Sequence, residues 1–376
     1  MPKIIFINDT AAIKGGSLTV LKQFLEEIHK YSQKEFVYYI FCSLEDLKVY
    51  ESEKIKIINN IKAKKWLDRV RWDFYGFKKW SQKNKIKADL LISLQNTAPC
   101  YFKNTKKIVY IHQALSFVEK IKWNPFKKEE RLMWFYQKIY PFFIKLSVKD
   151  VDYLIVQTEW MKKAVVQRLN FNPEKVMVIP PSVSLIDINS IKKISFGDKK
   201  FHIFYPAFPH IYKNHQLIIK AIKYIKDQNF DIYSNLLVHF TFSLENSCGK
   251  SLLKLINKLG IKEAVKLEGI LDYQRVLEFY KSVDLVVFPS YIETFGLPLI
   301  EAAFFGLPLL VSDLDFSREV VGNYEGAQFL DYKDEKLWAE KIMECYNKRP
   351  RFKSFRVNFK NSWKVFFDLI ERLVGE

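Results

Sequence analysis

Residues 284–312 read DLVVFPSYIETFGLPLIEAAFFGLPLLVS, and the parsing of this stretch decides the fold of the chain. Leu285 to Phe288 are apolar without alternation, the pattern of a parallel strand covered on both faces. Pro289 and Ser290 end that strand, and Pro298 suits the first turn of a helix. Gly306, Leu307 and Pro308 stop the helix, and Leu309 to Val311 begin another strand. Strand, loop, helix, strand is the unit of a parallel α/β sheet. Its loop follows the carboxyl end of a strand, where open α/β sheets bind ligands, and leads into a helix N-terminus, which favours anions. Glu293 lies in that loop and Glu301 eight residues on, with the backbone amides of Phe295, Gly296 and Leu297 between them. Singly, a solvated loop accounts for the first acid and the helix dipole for the second. Together they offer carboxylates for sugar hydroxyls and amides for charged oxygens.

The same alternation extends outward in both directions. Towards the N-terminus, strands are expected near 202–205, 236–242 and 265–267, with helices near 214–226, 250–259 and 273–282. Towards the C-terminus, a strand is expected at 328–330 and helices at 334–347 and 359–374. The first half repeats the pattern. A strand at 3–7 leads through a loop containing Lys14, Gly15 and Gly16 into a helix from Ser17 to about Lys30. Glycine there lets backbone approach a ligand closely, although a simple tight turn also explains the pair. Strands follow at 36–42 and 55–58, then a basic aromatic helix over 66–83, then strands at 90–94, 108–111, 151–156 and 176–179. Three of these end in polar residues: Gln95-Asn96-Thr97, His112-Gln113 and Gln157-Thr158. Two successive parallel-sheet units joined by a linker imply two doubly wound domains.

The segment SYIETFGLPLIEAAFFGLPLLVSD closely resembles the Glu-x7-Glu signature of the family 4 retaining glycosyltransferases, whose common form is S-x-x-E-x-F-G-x-x-x-x-E-A-x-x-x-G-x-P. Ser290, Glu293, Phe295, Gly296, Glu301, Ala302, Gly306 and Pro308 fall in register. The resemblance implies the GT-B architecture, an α/β fold of two Rossmann-like doubly wound domains facing across a cleft. Its domains would be an acceptor-side domain over 1–183, a linker over 184–199, a nucleotide-sugar-binding domain over 200–355, and a C-terminal helix over 356–376 returning to the first domain.

The resemblance also assigns roles. Glu293 would hold the donor sugar, and His112, at the end of a strand, resembles the family's histidine beside the transferred sugar. Glu301 would take the ribose hydroxyls, while Phe295, Gly296 and Leu297 would present amides to sugar or phosphate. Lys213 looks like the family lysine that binds the donor diphosphate. Many relatives carry an arginine a few residues earlier, and this chain has Tyr205, Pro206, Ala207, Phe208 and Pro209 on that ground, with His210 as a partial substitute. Gly15 and Gly16 resemble the glycine-rich first loop, and Gly269, Ile270 and Leu271 the loop that receives the base. From the residues alone, His112 reads as a structural histidine, Lys213 as a solvated lysine and Gly269 as an ordinary turn.

Composition sets the outer bounds. The 376 residues suffice for two domains, and 49% hydrophobic content excludes a disordered chain. No apolar run is long enough to span a bilayer, and the start MPKIIFIND lacks a signal peptide's apolar core. The expected location is therefore cytoplasmic, with peripheral attachment to the inner face of the membrane. Cys42, Cys100, Cys248 and Cys345 lack metal-ligand spacing and read as free, mostly buried thiols. A net charge of +18 favours acidic partners. Residues 118–149 mix Lys120, Lys122, Lys127, Lys128 and Arg131 with Trp123, Trp134 and other aromatics, a composition suited to an anionic membrane surface or to an amphipathic helix with a solvated basic face. No zinc-finger, helix-turn-helix or RNA-binding pattern occurs, so no nucleic acid is expected.

The leading expectation is a metal-independent, retaining hexosyltransferase acting in cell-envelope polysaccharide or lipopolysaccharide synthesis. It would use a nucleotide sugar as substrate, a lipid-linked or glycan acceptor, and no cofactor. A non-catalytic partner on the same GT-B fold is the alternative, suggested by the missing arginine. A basic nucleic-acid binder comes third.

Overall fold

The structure, a computed structural model, describes residues 2–13, 15–59, 61, 63, 66–181, 187–245, 247–356 and 362–375. It divides into two compact units. Met1–Pro125, Arg131–Ser182 and Phe359–Glu376 form the first, and Phe126–Glu130 with Val183–Asn358 form the second.

The first unit is built on a seven-stranded parallel sheet. Its strands are β1 (Lys3–Asn8), β2 (Phe36–Phe41), β3 (Ile55–Ile58), β4 (Leu90–Ser93), β5 (Lys106–Tyr110), β6 (Tyr153–Val156) and β7 (Val176–Val178), in the order β3-β2-β1-β4-β5-β6-β7. Register places Ile5 opposite both Tyr38 of β2 and Leu90 of β4. Because successive side chains alternate across a sheet, β1 feeds two cores. Ile5 and Ile7 join Leu21, Phe24, Leu25 and Ile28 of the helix Gly16–Tyr31, whereas Phe6 joins Phe41, Phe77, Leu91 and Tyr101 on the other side. Trp363, Phe366, Phe367 and Ile370 of the helix Ser362–Gly375 complete the first core, and the Phe367 ring stacks on Phe24 at 5.4 Å. Burying each such side chain is worth about 1.5–3 kcal/mol.

The helix expected over 66–83 is interrupted. It forms as Trp66–Arg71 and Phe77–Asn84 around a π-helical turn, Trp72–Gly76. The basic aromatic stretch contains two short helices, Arg131–Lys138 and Tyr140–Ser147, with Pro141 in the first turn of the second. Trp123 is buried, so the expectation that it serves a membrane interface is corrected: its ring is already packed inside the protein.

The second unit has six parallel strands: β8 (Phe201–Tyr205), β9 (Leu236–Phe240), β10 (Val265–Leu267), β11 (Leu285–Phe288), β12 (Leu309–Ser312) and β13 (Ala327–Leu330), in the order β10-β9-β8-β11-β12-β13. The opening stretch is β11, the helix Leu297–Phe304 and β12, with β11 buried along its whole length. The helices Glu159–Leu169 of the first unit and Phe230–Ser234 and Asp315–Val321 of the second are additional to the sequence reading.

In both sheets the strand order reverses beside the first strand, between β1 and β4 and between β8 and β11. Such a switch point opens a crevice at the carboxyl ends of the flanking strands. Of the expected linker, residues 184–186 lie outside the described residues, as do Ser182 and Val183 before it; Ile188–Ser190 form one 3-10 turn. Residues 359–361 of the expected terminal helix, and Lys14 of the first loop, also lie outside them.

Candidate active site

The switch point of the second unit brings together the loops after β8 and β11. Lys213 closes a 3-10 turn, Ile211–Lys213, after β8, and Glu293 follows β11. Their side chains form an ion pair, with the Lys213 ammonium donating to Glu293 Oε1. The Ser290 hydroxyl donates to the same oxygen at 2.8 Å. Both members of the pair are largely buried, so the attraction is screened less than on an open surface. Further hydrogen bonds hold the two loops in place. Tyr291 N–H donates to Tyr212 O at 2.9 Å, and Asn214 Nδ2 donates to Pro289 O and Tyr332 O at 3.3 and 2.9 Å. The Tyr205 hydroxyl, from within β8, donates to Lys213 O at 2.6 Å. His210 is exposed, and its ring stacks on Tyr212 at 5.3 Å.

Glu301 lies in the middle of the helix Leu297–Phe304 and is buried. Burial pushes its carboxyl up to about 7, while hydrogen bonds from Tyr280 and Tyr273 pull it partly back. A buried carboxyl with two tyrosine partners therefore stands where the sequence reading expected an acid favoured by the helix dipole. Gly296 caps this helix at φ 87°, a left-handed conformation that glycine adopts without strain, and a Cβ there would lie 3.2 Å from Leu299 Cδ1. Gly269, Ile270 and Leu271 form the turn between β10 and the helix Tyr273–Ser282, with Ile270 exposed. Asp272 caps that helix by accepting from Arg275 N–H at 2.8 Å.

The remaining candidates belong to the first unit. Gly15, at φ 69°, precedes Gly16–Tyr31, and its carbonyl accepts from Thr19 N–H at 3.1 Å. His112 follows β5; its backbone N–H donates to Asn96 Oδ1 at 2.9 Å, and its Nε2 lies 2.8 Å from Leu94 O. Burial lowers the imidazole to about 4, so the ring is neutral at neutral pH. A carbonyl can only accept, so Nε2 carries the hydrogen and Nδ1 is left as an acceptor.

Sequence reasoning missed the centre of this unit's switch point. Asp73, from the π turn, accepts from Asn8 Nδ2 at 3.0 Å, from Gln95 Nε2 at 3.0 and 3.1 Å, and from Thr97 Oγ1 at 3.2 Å. Burial raises its carboxyl to about 7 against the pull of these bonds. Its only sequence signal was an acid inside a basic aromatic run, WDFYG. Asn214, Tyr273 and Tyr280 were passed over too, and Ser290 was read as part of the signature without a role. Their roles depend on strand neighbours that the sequence does not place side by side.

Residues 187–362 match the family described as glycosyl transferases group 1. The O-antigen chain mannosyltransferase RfbU of Salmonella typhimurium is 28% identical over 255 residues, covering 64% of this chain and 64% of RfbU. The chain thus spans under two thirds of the length of the curated relatives it first matches. Among solved structures, Anabaena HepE in complex with UDP and glucose is similar at TM-score 0.65 and 15% identity, covering 100% of this chain and 98% of HepE. Sucrose-phosphate synthase of Thermosynechococcus elongatus reaches TM-score 0.70 at 14% identity, covering 100% and 96%. At such identities the likeness is one of fold. The chain has the GT-B glycosyltransferase fold, and its residues 187–362 match the glycosyl transferases group 1 family.

Proposed function

We propose that the protein is a glycosyltransferase that moves a sugar from a nucleotide-sugar donor to a glycan or lipid-linked acceptor in envelope polysaccharide synthesis. The observation that carries this reading is the Lys213–Glu293 pair at the switch point of the six-stranded sheet, inside the segment that matches the family. A leaving nucleoside diphosphate gains negative charge as the glycosidic bond breaks. The Lys213 ammonium and the amides opening the helix Leu297–Phe304 would stabilise such charge. Glu293 would turn from Lys213 to the sugar hydroxyls, and Glu301 with Tyr273 and Tyr280 would meet the ribose.

In the finer form of the proposal the transfer is retaining and metal-independent, as the resemblance to family 4 implies, and His112 faces the transferred sugar. The similarity to RfbU, an O-antigen chain mannosyltransferase, supports an envelope glycan as acceptor, and the likeness to HepE in complex with UDP and glucose supports a uridine nucleotide among the donors to try. We further place the protein in the cytoplasm, against an anionic membrane surface. Lys120, Lys122, Lys127, Lys128 and Arg131 are exposed, as are Leu132 and Phe142 of the same stretch. Among the described residues no helix is long and apolar enough to cross a membrane.

Incubation with a panel of nucleotide sugars tests the reading, with release of nucleoside diphosphate as the signal. One donor should be turned over. Nucleotide binding without turnover of any donor would favour a non-catalytic partner on the same fold. Absence of nucleotide binding would overturn the proposal.

A further inference from the structure

Asp73 reaches the switch point of the first sheet from the π-helical turn Trp72–Gly76 and is buried there. The amides around it are oriented by groups that can only donate. Trp72 Nε1–H gives its hydrogen to Asn8 Oδ1 at 3.1 Å, so Asn8 turns its Nδ2 to Asp73. Ala11 N–H meets Gln95 Oε1 at 3.2 Å, beside the Thr10 hydroxyl at 3.1 Å, so Gln95 turns its Nε2 to Asp73. The side chain at position 73 must therefore accept on both arms. Of side chains that size, only aspartate offers two oxygens and no NH2.

Two of these donors belong to the turn after β4, and that turn seats His112. Gln95 Nε2 donates to both Asp73 oxygens at 3.0 and 3.1 Å, and Thr97 Oγ1 donates at 3.2 Å. Between them Asn96 has a left-handed backbone, φ 68°, and its Oδ1 accepts from His112 N–H at 2.9 Å. Just before them Leu94 O takes the Nε2 hydrogen of His112 at 2.8 Å, while Leu94 N–H donates to Asn8 O at 3.0 Å. Both groups that hold His112 are thus flanked by residues that Asp73 holds. The Leu94 carbonyl keeps the ring hydrogen on Nε2 and leaves Nδ1 as the acceptor. With that carbonyl turned away, the hydrogen has no fixed place and the two tautomers mix.

We propose that Asp73 is a positioning residue: through Asn8, Gln95 and Thr97 it fixes the turn 94–97, and through that turn the seat and tautomer of His112. The role rests on the glycosyltransferase reading only in that His112 is given a sugar to face. A ring nitrogen held as an acceptor can take a hydrogen bond from a sugar hydroxyl, and one that carries the hydrogen cannot.

The donor pattern supplies its own control. In Asp73→Asn one oxygen becomes an NH2, and whichever way that amide turns it sets a donor against Gln95 Nε2. Gln95 cannot reverse in response, because its own NH2 would then face Ala11 N–H. Adding Gln95→Glu to Asp73→Asn puts an acceptor opposite that NH2 again. The acid then stands at position 95, where its other oxygen still takes Thr10 and Ala11.

The test uses the full-length protein without ligand, its six histidines labelled with nitrogen-15, and His112→Ala assigns the His112 signals by their loss. The parent should show the Nε2–H tautomer alone, Asp73→Asn a mixture with the Nδ1–H form, and Asp73→Asn with Gln95→Glu the parent's form again. If Asp73→Asn does not fold, Thr97→Val cuts the bond from the turn to Asp73 at nearly unchanged shape, and the same mixing is expected. A mixed parent, a single tautomer in whichever of these variants folds, or mixing that the exchanged pair does not relieve would overturn the positioning role. With a donor that is turned over, Asp73→Asn should lower kcat roughly tenfold to a hundredfold, the scale of a misplacement of about 1 Å, and leave donor KM nearly unchanged. In a His112→Ala background the same substitution should add nothing, whereas losses that add would make Asp73 a support of the fold and overturn the role. Turnover of no donor, with the tautomers behaving as described, would overturn the functional reading and leave the positioning of His112 standing.

Discussion

Lys213 and Glu293 neutralise each other across the switch point of the second sheet, although they stand 80 residues apart in the chain. A donor diphosphate would compete with Glu293 for the lysine, and the sugar hydroxyls would compete with the lysine for the glutamate. Lys213→Ala should therefore weaken nucleoside diphosphate binding by about 1.5–3 kcal/mol and leave nucleoside binding almost unchanged. Calorimetry with both ligands checks this. Equal losses for the two would make the lysine a support of the fold.

Glu293→Gln separates the two halves of the pair. It keeps the side-chain volume and removes a negative charge beside the phosphate site, so the nucleoside diphosphate should bind as well as before or more tightly. Turnover should fall, because the proposed sugar contact belongs to the reacting centre. Steady-state kinetics with a binding titration would show it; unchanged kcat would remove Glu293 from the chemistry.

The Glu301 carboxyl is raised from 4.5 to about 7 by burial. A raised carboxyl contributes stability below its unfolded value and loses that contribution as pH climbs through the folded value. The penalty is thus fully developed above about pH 7, and it corresponds to roughly 3 kcal/mol. Glu301→Gln should abolish this part of the pH dependence, gaining on the parent between pH 5 and pH 8. Chemical denaturation at the two pH values measures it, and parallel curves would contradict the assignment.

Among the described residues, the Asp73 carboxylate accepts from donors alone: the amides of Asn8 and Gln95 and the hydroxyl of Thr97. Asp73→Asn would turn an NH2 towards them, leaving buried donors unmatched at a cost of about 1–3 kcal/mol. A fall in melting temperature is expected, whereas an unaltered melting temperature would mean that the cluster rearranges freely.

The exposed bases of residues 118–149 should carry the protein to anionic vesicles and not to neutral ones. Each basic residue near such a surface contributes about 1 kcal/mol, and salt should release the protein. Replacing Lys120, Lys122, Lys127, Lys128 and Arg131 with Gln should abolish sedimentation with the vesicles. Persistent binding would locate the attraction elsewhere on this chain of net charge +18.

Much of the fold was legible because parallel strands announce themselves as short apolar runs: Leu285–Phe288 and Val265–Leu267 were read with their observed bounds. Relationships across the sheet were not legible. Nothing in the spacing of Lys213 and Glu293 shows that β8 and β11 are neighbours, and that adjacency makes them a pair. Asp73 was hidden for a related reason, since a π turn within an amphipathic run redirects one side chain towards the ends of β1 and β4.

The helix Ser362–Gly375 inserts Trp363, Phe366 and Phe367 into the core of the first unit. On the ribosome, the strands of that unit emerge well before the helix that covers them. At about 5–20 residues per second, synthesis of residues 183–361 leaves the pocket around Phe24 open for roughly ten to forty seconds. During that interval Val20, Phe24 and Ile28 form an apolar surface that a chaperone or a neighbouring nascent chain can occupy. Messages truncated before codon 362 should consequently yield aggregates, even though both sheets are encoded in full.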